Sequence, residues 1–231
     1  VSAATRPGPA PTPHAERATR SAVVTGASSG IGLAIAHDLV GAGWHVLGLS
    51  RSRGALSDAA TWVPCDLADV ISADEAVRVV RGTAAGVGEL LPEQGERMWA
   101  VHVRGAELVV GGLVGSLVDG GRVVLVGSRT MTGVPGKSQY AATKAALTAM
   151  ARSWAAELAP RGITVNVVAP GPTRTAMLDD PNRASVPPVV PPLGRLVEPS
   201  EVAALTRFLV EPTGAMVTGQ TIVMCGGASL P

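Results

Sequence analysis

The chain has 231 residues and carries 19 Lys and Arg against 18 Asp and Glu, a formal net charge of +1. So even a balance offers no basic face to neutralise a row of phosphates, which excludes nucleic acid as an expected partner, and the length suits one α/β domain better than two. Although 46% of the residues are hydrophobic, no apolar run approaches the roughly 18 residues that span a bilayer; residues 108–118, interrupted by Gly111, Gly112, Gly115 and Ser116, read as a buried helix.

Residues 1–20 carry Pro7, Pro9, Pro11 and Pro13 among small and polar residues and read as a disordered tail, without the continuous apolar core of a secretory signal. Ala22-Val-Val-Thr-Gly26 is then a short apolar run that ends in glycine, and residues 31–40 follow with helical apolar spacing. His45–Ser50, residues 61–65 and residues 122–128 read as strands buried on both faces, because none alternates polar with apolar residues. The spacing predicts a long alanine-rich helix over 138–158, closed by Pro160 and Gly162. A strand over 163–168 follows, then a helix opened by Pro199 and running to about Val210, and a last strand over 220–225. This order predicts an α/β fold: a doubly wound, Rossmann-like parallel sheet in three α/β/α layers, one domain over 21–231, with ligands at the carboxyl ends of the strands. Cys65 and Cys225, far apart within apparent strands, give neither a disulfide framework nor a metal site, and a cytoplasmic location is expected.

Three groups of residues carry chemistry. Thr25-Gly-Ala-Ser-Ser-Gly-Ile-Gly32 stands between the first strand and the first helix, where glycines allow a tight turn and close approach of a pyrophosphate to the helix N-terminus. Arg51 follows the second strand, where an adenosine ribose would lie, and neither Leu49 nor Ser50 offers a carboxylate for a free 2′-hydroxyl. A 2′-phosphate, and therefore NADPH over NADH, is favoured, with Arg53 as an alternative phosphate partner. Tyr140, the sole tyrosine, and Lys144 are four apart on a helix and share a face, so an ammonium can assist a phenol as acid and base. Ser128 ends the preceding strand and can donate to a carbonyl oxygen that gains charge.

TGASSGIG, YxxxK, the strand-end serine and Pro170-Gly171 with Thr173 and Thr175 resemble the short-chain dehydrogenase/reductase family from about residue 20 to the C-terminus. The resemblance implies Tyr140 as proton donor, Lys144 as holder of the nicotinamide ribose and Ser128 as the residue that orients substrate. It implies that Gly26, Ser28, Gly30, Ile31 and Gly32 wrap the pyrophosphate, that Asp66 and Leu67 lie against adenine, and that Thr173 or Thr175 meets the nicotinamide carboxamide. Residues 174–195 would form a lid over the nicotinamide, and the closing helix and strand would serve a homotetramer or homodimer.

Three departures stand out. The family's Asn-Asn-Ala-Gly turn has only Thr83-Ala-Ala-Gly86 to correspond to it, with Ala85 and Gly86 at the cofactor positions. Only twenty positions separate Asp66 from Gly86, where a crossover helix, a strand and two loops want roughly thirty. Either residues 74–81 are a truncated helix and the fourth strand is missing, or residues 77–80 are the strand and the helix has nearly vanished; disordered or deleted residues closed over in the numbering are the third alternative. His102 stands where the family places an asparagine, and a histidine there can bind the relay water or relay the proton; a core histidine is the equal alternative. Finally, one residue fewer than usual separates Ser128 from Tyr140.

The expected activity is NADPH-dependent reduction of a ketone, or oxidation of a secondary alcohol, with Ser128, Tyr140, Lys144 and His102 as the catalytic set and no metal. The alternative is a degenerate relative that binds nucleotide or oligomerises without redox catalysis.

Overall fold

The structure, a computed structural model, describes residues 20–66, 90–176 and 189–230. The tail over 1–19, residues 67–89 and the centre of the expected lid, 177–188, lie outside the described residues. Both readings of residues 74–81 therefore fall outside them, as do Leu67, Ala85 and Gly86.

Strands β1 (Ser21–Thr25), β2 (His45–Ser50) and β3 (Thr61–Pro64) pair in parallel in that order, with Val23 opposite Leu47 and Leu49 opposite Val63. Strands β4 (Arg122–Val126), β5 (Thr164–Pro170) and β6 (Thr221–Met224) form a second parallel set, with Leu125 opposite Val167 and Val168 opposite Ile222. Among the described residues the strands thus lie in two three-stranded sheets, with β1 and β4 each at an edge. Every residue of β5 is buried, Thr164 and Asn166 included, as its central position in the second sheet demands.

Helix α1 (Gly30–Gly41) returns from β1, and Gly43 at φ +81° turns the chain toward β2. Helix α2 (residues 92–113) is α-helical at Pro92–Trp99 and Gly105–Leu113, with a π-helical turn at Ala100–Arg104 between them. Helix α3 (Ser138–Leu158) spans the length the sequence predicts, and its exit turn places Gly162 in the left-handed region at φ +64°. Helix α4 (Pro199–Val210) begins at the predicted proline, and the Glu198 N–H donates to Glu201 Oε2 at 2.9 Å to satisfy an otherwise unpaired helix-entry donor.

Ala203 of α4 packs into the same core as Val24, Ile35, Leu39 and Val46, while Val202 and Leu209 of α4 pack with Val168 of β5. One helix therefore rests on both sheets. On the α3 side, Leu147, Ala151 and Ala155 meet Leu125, Val165 and Val167. The alanines of α3 let its backbone lie close to the sheet, and burial of a side chain such as Leu209 contributes roughly 1.5–3 kcal/mol.

The expected burial of residues 108–118 is corrected: Leu108 is 62% and Val118 75% exposed. Ala106 and Val110 face the core and anchor the segment, whereas Leu108 and the glycines lie on the opposite face, exposed among the described residues. Both cysteines are free and sit one residue beyond strands β3 and β6. No helix among the described residues is long and apolar enough to cross a membrane, and the described residues hold no cluster of three metal-ligating side chains.

Candidate active site

Parallel pairing brings the glycine-rich turn after β1, Arg51 after β2, Asp66 after β3, Ser128 after β4 and Gly171 after β5 to the carboxyl ends of their strands. That is where a doubly wound fold opens a crevice for ligands.

The turn from Gly26 to Gly32 is tight and packed close to the start of α1. Gly26 and Gly30 have φ of +66° and +57°, conformations natural to glycine. Gly26 N–H donates to the Leu49 carbonyl at 2.8 Å and ties the turn to β2. A Cβ on Gly32 would lie 2.3 Å from the Gly26 carbonyl oxygen, so only glycine permits this contact between helix and turn. Ser29, the residue before α1, makes no side-chain capping bond, and the first turn of α1 carries no acid. Its N–H groups and the positive end of the dipole suit a pyrophosphate. Thr175 sits beside the same turn, with its Cγ2 3.6 Å from where a Gly30 Cβ would stand. Thr173 is tied back by donation from its hydroxyl to the Gly171 carbonyl at 3.0 Å.

At the far end of the turn, Arg51 is exposed just past β2, while Arg53 is ion-paired with Asp58. Of the two arginines weighed as phosphate partners, Arg53 is therefore already engaged by a neighbouring carboxylate. Gly54 lies so close to Ser28 that a Cβ there would come 2.3 Å from the Ser28 carbonyl oxygen, which sets the loop after β2 against the glycine-rich turn.

Tyr140 and Lys144 share one face of α3. Lys144 Nζ donates to the Val126 carbonyl at 3.0 Å, and the ammonium is 5.9 Å from the centre of the Tyr140 ring. Burial pushes the Lys144 pKa down to about 8, because the charged form loses water that one carbonyl does not replace. Ser128 is buried, and its Oγ accepts the Thr130 N–H at 3.3 Å and lies 3.0 Å from Thr130 Oγ1. If the threonine hydroxyl donates in that pair, both lone pairs of Ser128 are filled and its own proton is left to donate outward. Tyr140 also lines a surface depression with Leu90, Gln94 and Gly136.

His102 stands in the π turn of α2 and joins this group. Its ring meets that of Tyr140 edge to face, centroids 5.5 Å apart at 85°, and its Nδ1 lies 2.9 Å from Thr143 Oγ1. Burial and then the Lys144 charge push the His102 pKa down to about 3, so the imidazole is neutral near pH 7. The sequence reading missed Thr143, Thr130 and the Val126 carbonyl. A small polar residue beside a lysine has no sequence signature of its own, and a backbone carbonyl has none at all.

Residues 81–229 match the family model described as Enoyl-(Acyl carrier protein) reductase. The chain is 33% identical to the 3-oxoacyl-[acyl-carrier-protein] reductase FabG of Vibrio harveyi, over 89% of this chain and 96% of that protein. It is 35% identical to carbonyl reductase family member 4 of Danio rerio, over 92% and 99%. A short-chain dehydrogenase from Burkholderia cenocepacia, solved in complex with NADP, superposes with a TM-score of 0.74 at 30% identity, covering 91% of this chain and 97% of that one. The fold and these relatives define an NAD(P)-dependent oxidoreductase. The chain belongs to the short-chain dehydrogenase/reductase family. The Vibrio harveyi alignment runs over 236 positions while using 89% of a 231-residue chain, so that relative carries residues this chain lacks.

Proposed function

We propose that the protein reduces a ketone with NADPH, with Tyr140 as the proton donor. The observation that carries this reading is the anchored pair on α3: Lys144 Nζ held at 3.0 Å by the Val126 carbonyl, beside the Tyr140 ring. A solvated surface lysine has no such tether.

The glycine-rich turn, the uncapped start of α1 and exposed Arg51 fit a phosphorylated dinucleotide: Gly26, Ser28, Gly30, Ile31 and Gly32 at the pyrophosphate, Arg51 at the 2′-phosphate, Asp66 at the adenine, and Thr173 and Thr175 toward the carboxamide. When bound, the nicotinamide supplies the hydride. This chain's residues do the rest. The Ser128 hydroxyl donates to the substrate carbonyl oxygen, and the Tyr140 hydroxyl gives that oxygen its proton as charge develops. The Lys144 ammonium favours the phenolate left behind. The 3-oxoacyl chains named for the relatives are the first ketones to assay. A homodimer or homotetramer belongs to this reading, as the family resemblance implies.

A second reading, a nucleotide binder without redox activity, is favoured by one observation, the residues this chain lacks relative to its relatives. Fluorescence titration with NADPH and NADH, followed by a ketone screen, separates the two. Tight NADPH binding with NADPH oxidation on a ketone supports reduction; binding without turnover on any ketone supports the second reading, and no binding to either nucleotide overturns both the reductase and the nucleotide binder.

A further inference from the structure

We propose that Thr143 is a positioning residue that fixes His102, whose ring meets that of Tyr140 edge to face, in the Nδ1–H tautomer, leaving Nε2 as a pure hydrogen-bond acceptor. The inference deepens the reductase reading and rests on it for its catalytic meaning.

The Thr143 hydroxyl has one hydrogen and two close partners. It lies 2.9 Å from the Tyr140 carbonyl oxygen, one turn back on α3, and 2.9 Å from His102 Nδ1. A carbonyl oxygen only accepts, so satisfying that contact takes the hydroxyl proton. The second contact is then a hydrogen bond only if Nδ1 carries a hydrogen and the threonine oxygen accepts it. Thr143 is 2% exposed, so water does not stand in for either partner, and an unpaired polar atom at such a site is destabilising. With Nδ1 protonated and the imidazole neutral, Nε2 carries a lone pair and no hydrogen.

This tautomer suits its neighbours. A ring nitrogen that accepts is compatible with an ammonium nearby, whereas one that donates would set a second positive edge against Lys144. The π-helical turn is the backbone feature that carries His102 to Thr143 and Tyr140, and such turns are inserted where a helix must present a particular side chain. Thr143 belongs to α3, the helix that carries Tyr140 and Lys144, so the catalytic pair and the tautomer lock are held by the same element.

The test is the imidazole nitrogen spectrum of uniformly 15N-labelled full-length protein, with the His102 signals assigned by their loss in His102→Gln. The expected result is a single neutral Nδ1–H form at neutral and mildly alkaline pH. In Thr143→Val that form is expected to give way to a mixture or to Nε2–H, and in Thr143→Ser to persist. On the best ketone found, Thr143→Val should lower kcat about three- to tenfold with NADPH affinity unchanged, and Thr143→Ser should restore it. An Nε2–H form, an imidazolium or a mixture in the unaltered protein overturns the proposal, and so does a spectrum that Thr143→Val leaves unmoved. If Thr143→Val does not fold, the spectrum of the unaltered protein still decides. A clean Nδ1–H spectrum in a protein that turns over no ketone supports the tautomer while sinking the reductase reading.

Discussion

Lys144 on α3 reaches across to β4 and donates to the carbonyl of Val126, two residues before Ser128. One hydrogen bond thereby sets the position of the helix that bears Tyr140 against the strand end that bears Ser128. It also places an ammonium where little water reaches it, and burial holds its pKa near 8.

A pH dependence follows. A lysine with a depressed pKa loses its charge as pH rises through that value, so kcat/KM for ketone reduction should be level below about pH 7 and fall about tenfold per unit well above pH 8. A rate profile measured on the free enzyme checks this. A limb appearing only near pH 10 would mean that the Lys144 ammonium behaves as it does in water.

Tyr140→Phe removes the hydroxyl and keeps the ring that meets His102. Turnover should drop about 10²- to 10⁴-fold, the usual weight of a positioned acid or base, while NADPH binding stays within about twofold because nothing at the glycine-rich turn changes. Steady-state kinetics beside fluorescence titration separates the two quantities, and retained turnover would remove Tyr140 from the proposed role.

Arg51→Ala should weaken NADPH about ten- to a hundredfold and NADH hardly at all, the size expected from a hydrogen bond to a charged group of about 1.5–3 kcal/mol. Arg53, two positions further along the loop, should give a smaller difference when changed to alanine. Equal losses for the two nucleotides would show that Arg51 does not read the 2′-phosphate.

Gly32→Ala puts a methyl 2.3 Å from the Gly26 carbonyl oxygen, and backbone on both sides cannot yield cheaply. A loss of about 1–3 kcal/mol is expected, lowering Tm by several degrees, with cofactor binding lost as the turn shifts. Gly111→Ala is the control: nothing lies within 4 Å of a Cβ there, so the change should be neutral or stabilise α2 by about 0.5–1 kcal/mol. Thermal unfolding of the two variants side by side measures the contrast.

Much of the architecture is written in local pattern. The largely apolar segments His45–Ser50 and Thr164–Pro170 are strands, the long alanine-rich segment is α3 from Ser138 to Leu158, and Pro199 starts α4. The same holds for the glycine-rich turn and for Tyr140 with Lys144, since a spacing of four on a helix is a statement about one face wherever the helix packs. Local pattern could not say which face of residues 108–118 meets the core, because an apolar residue is equally apolar toward solvent or toward an uncovered neighbour; Leu108 proved exposed.

What only the tertiary structure decided are the relationships across long sequence separations. Arg53 is paired with Asp58, and Lys144 is held by a carbonyl, a group every residue possesses. His102 lies 41 positions before Thr143, and the two meet because a π turn in α2 and the packing of α2 on α3 aim one ring at one hydroxyl. Hydrogen-bond partnership and burial depend on distance in space, so the sequence by itself determined the fold class and singled out the candidate side chains, while the folded chain decided which neighbour holds each of them.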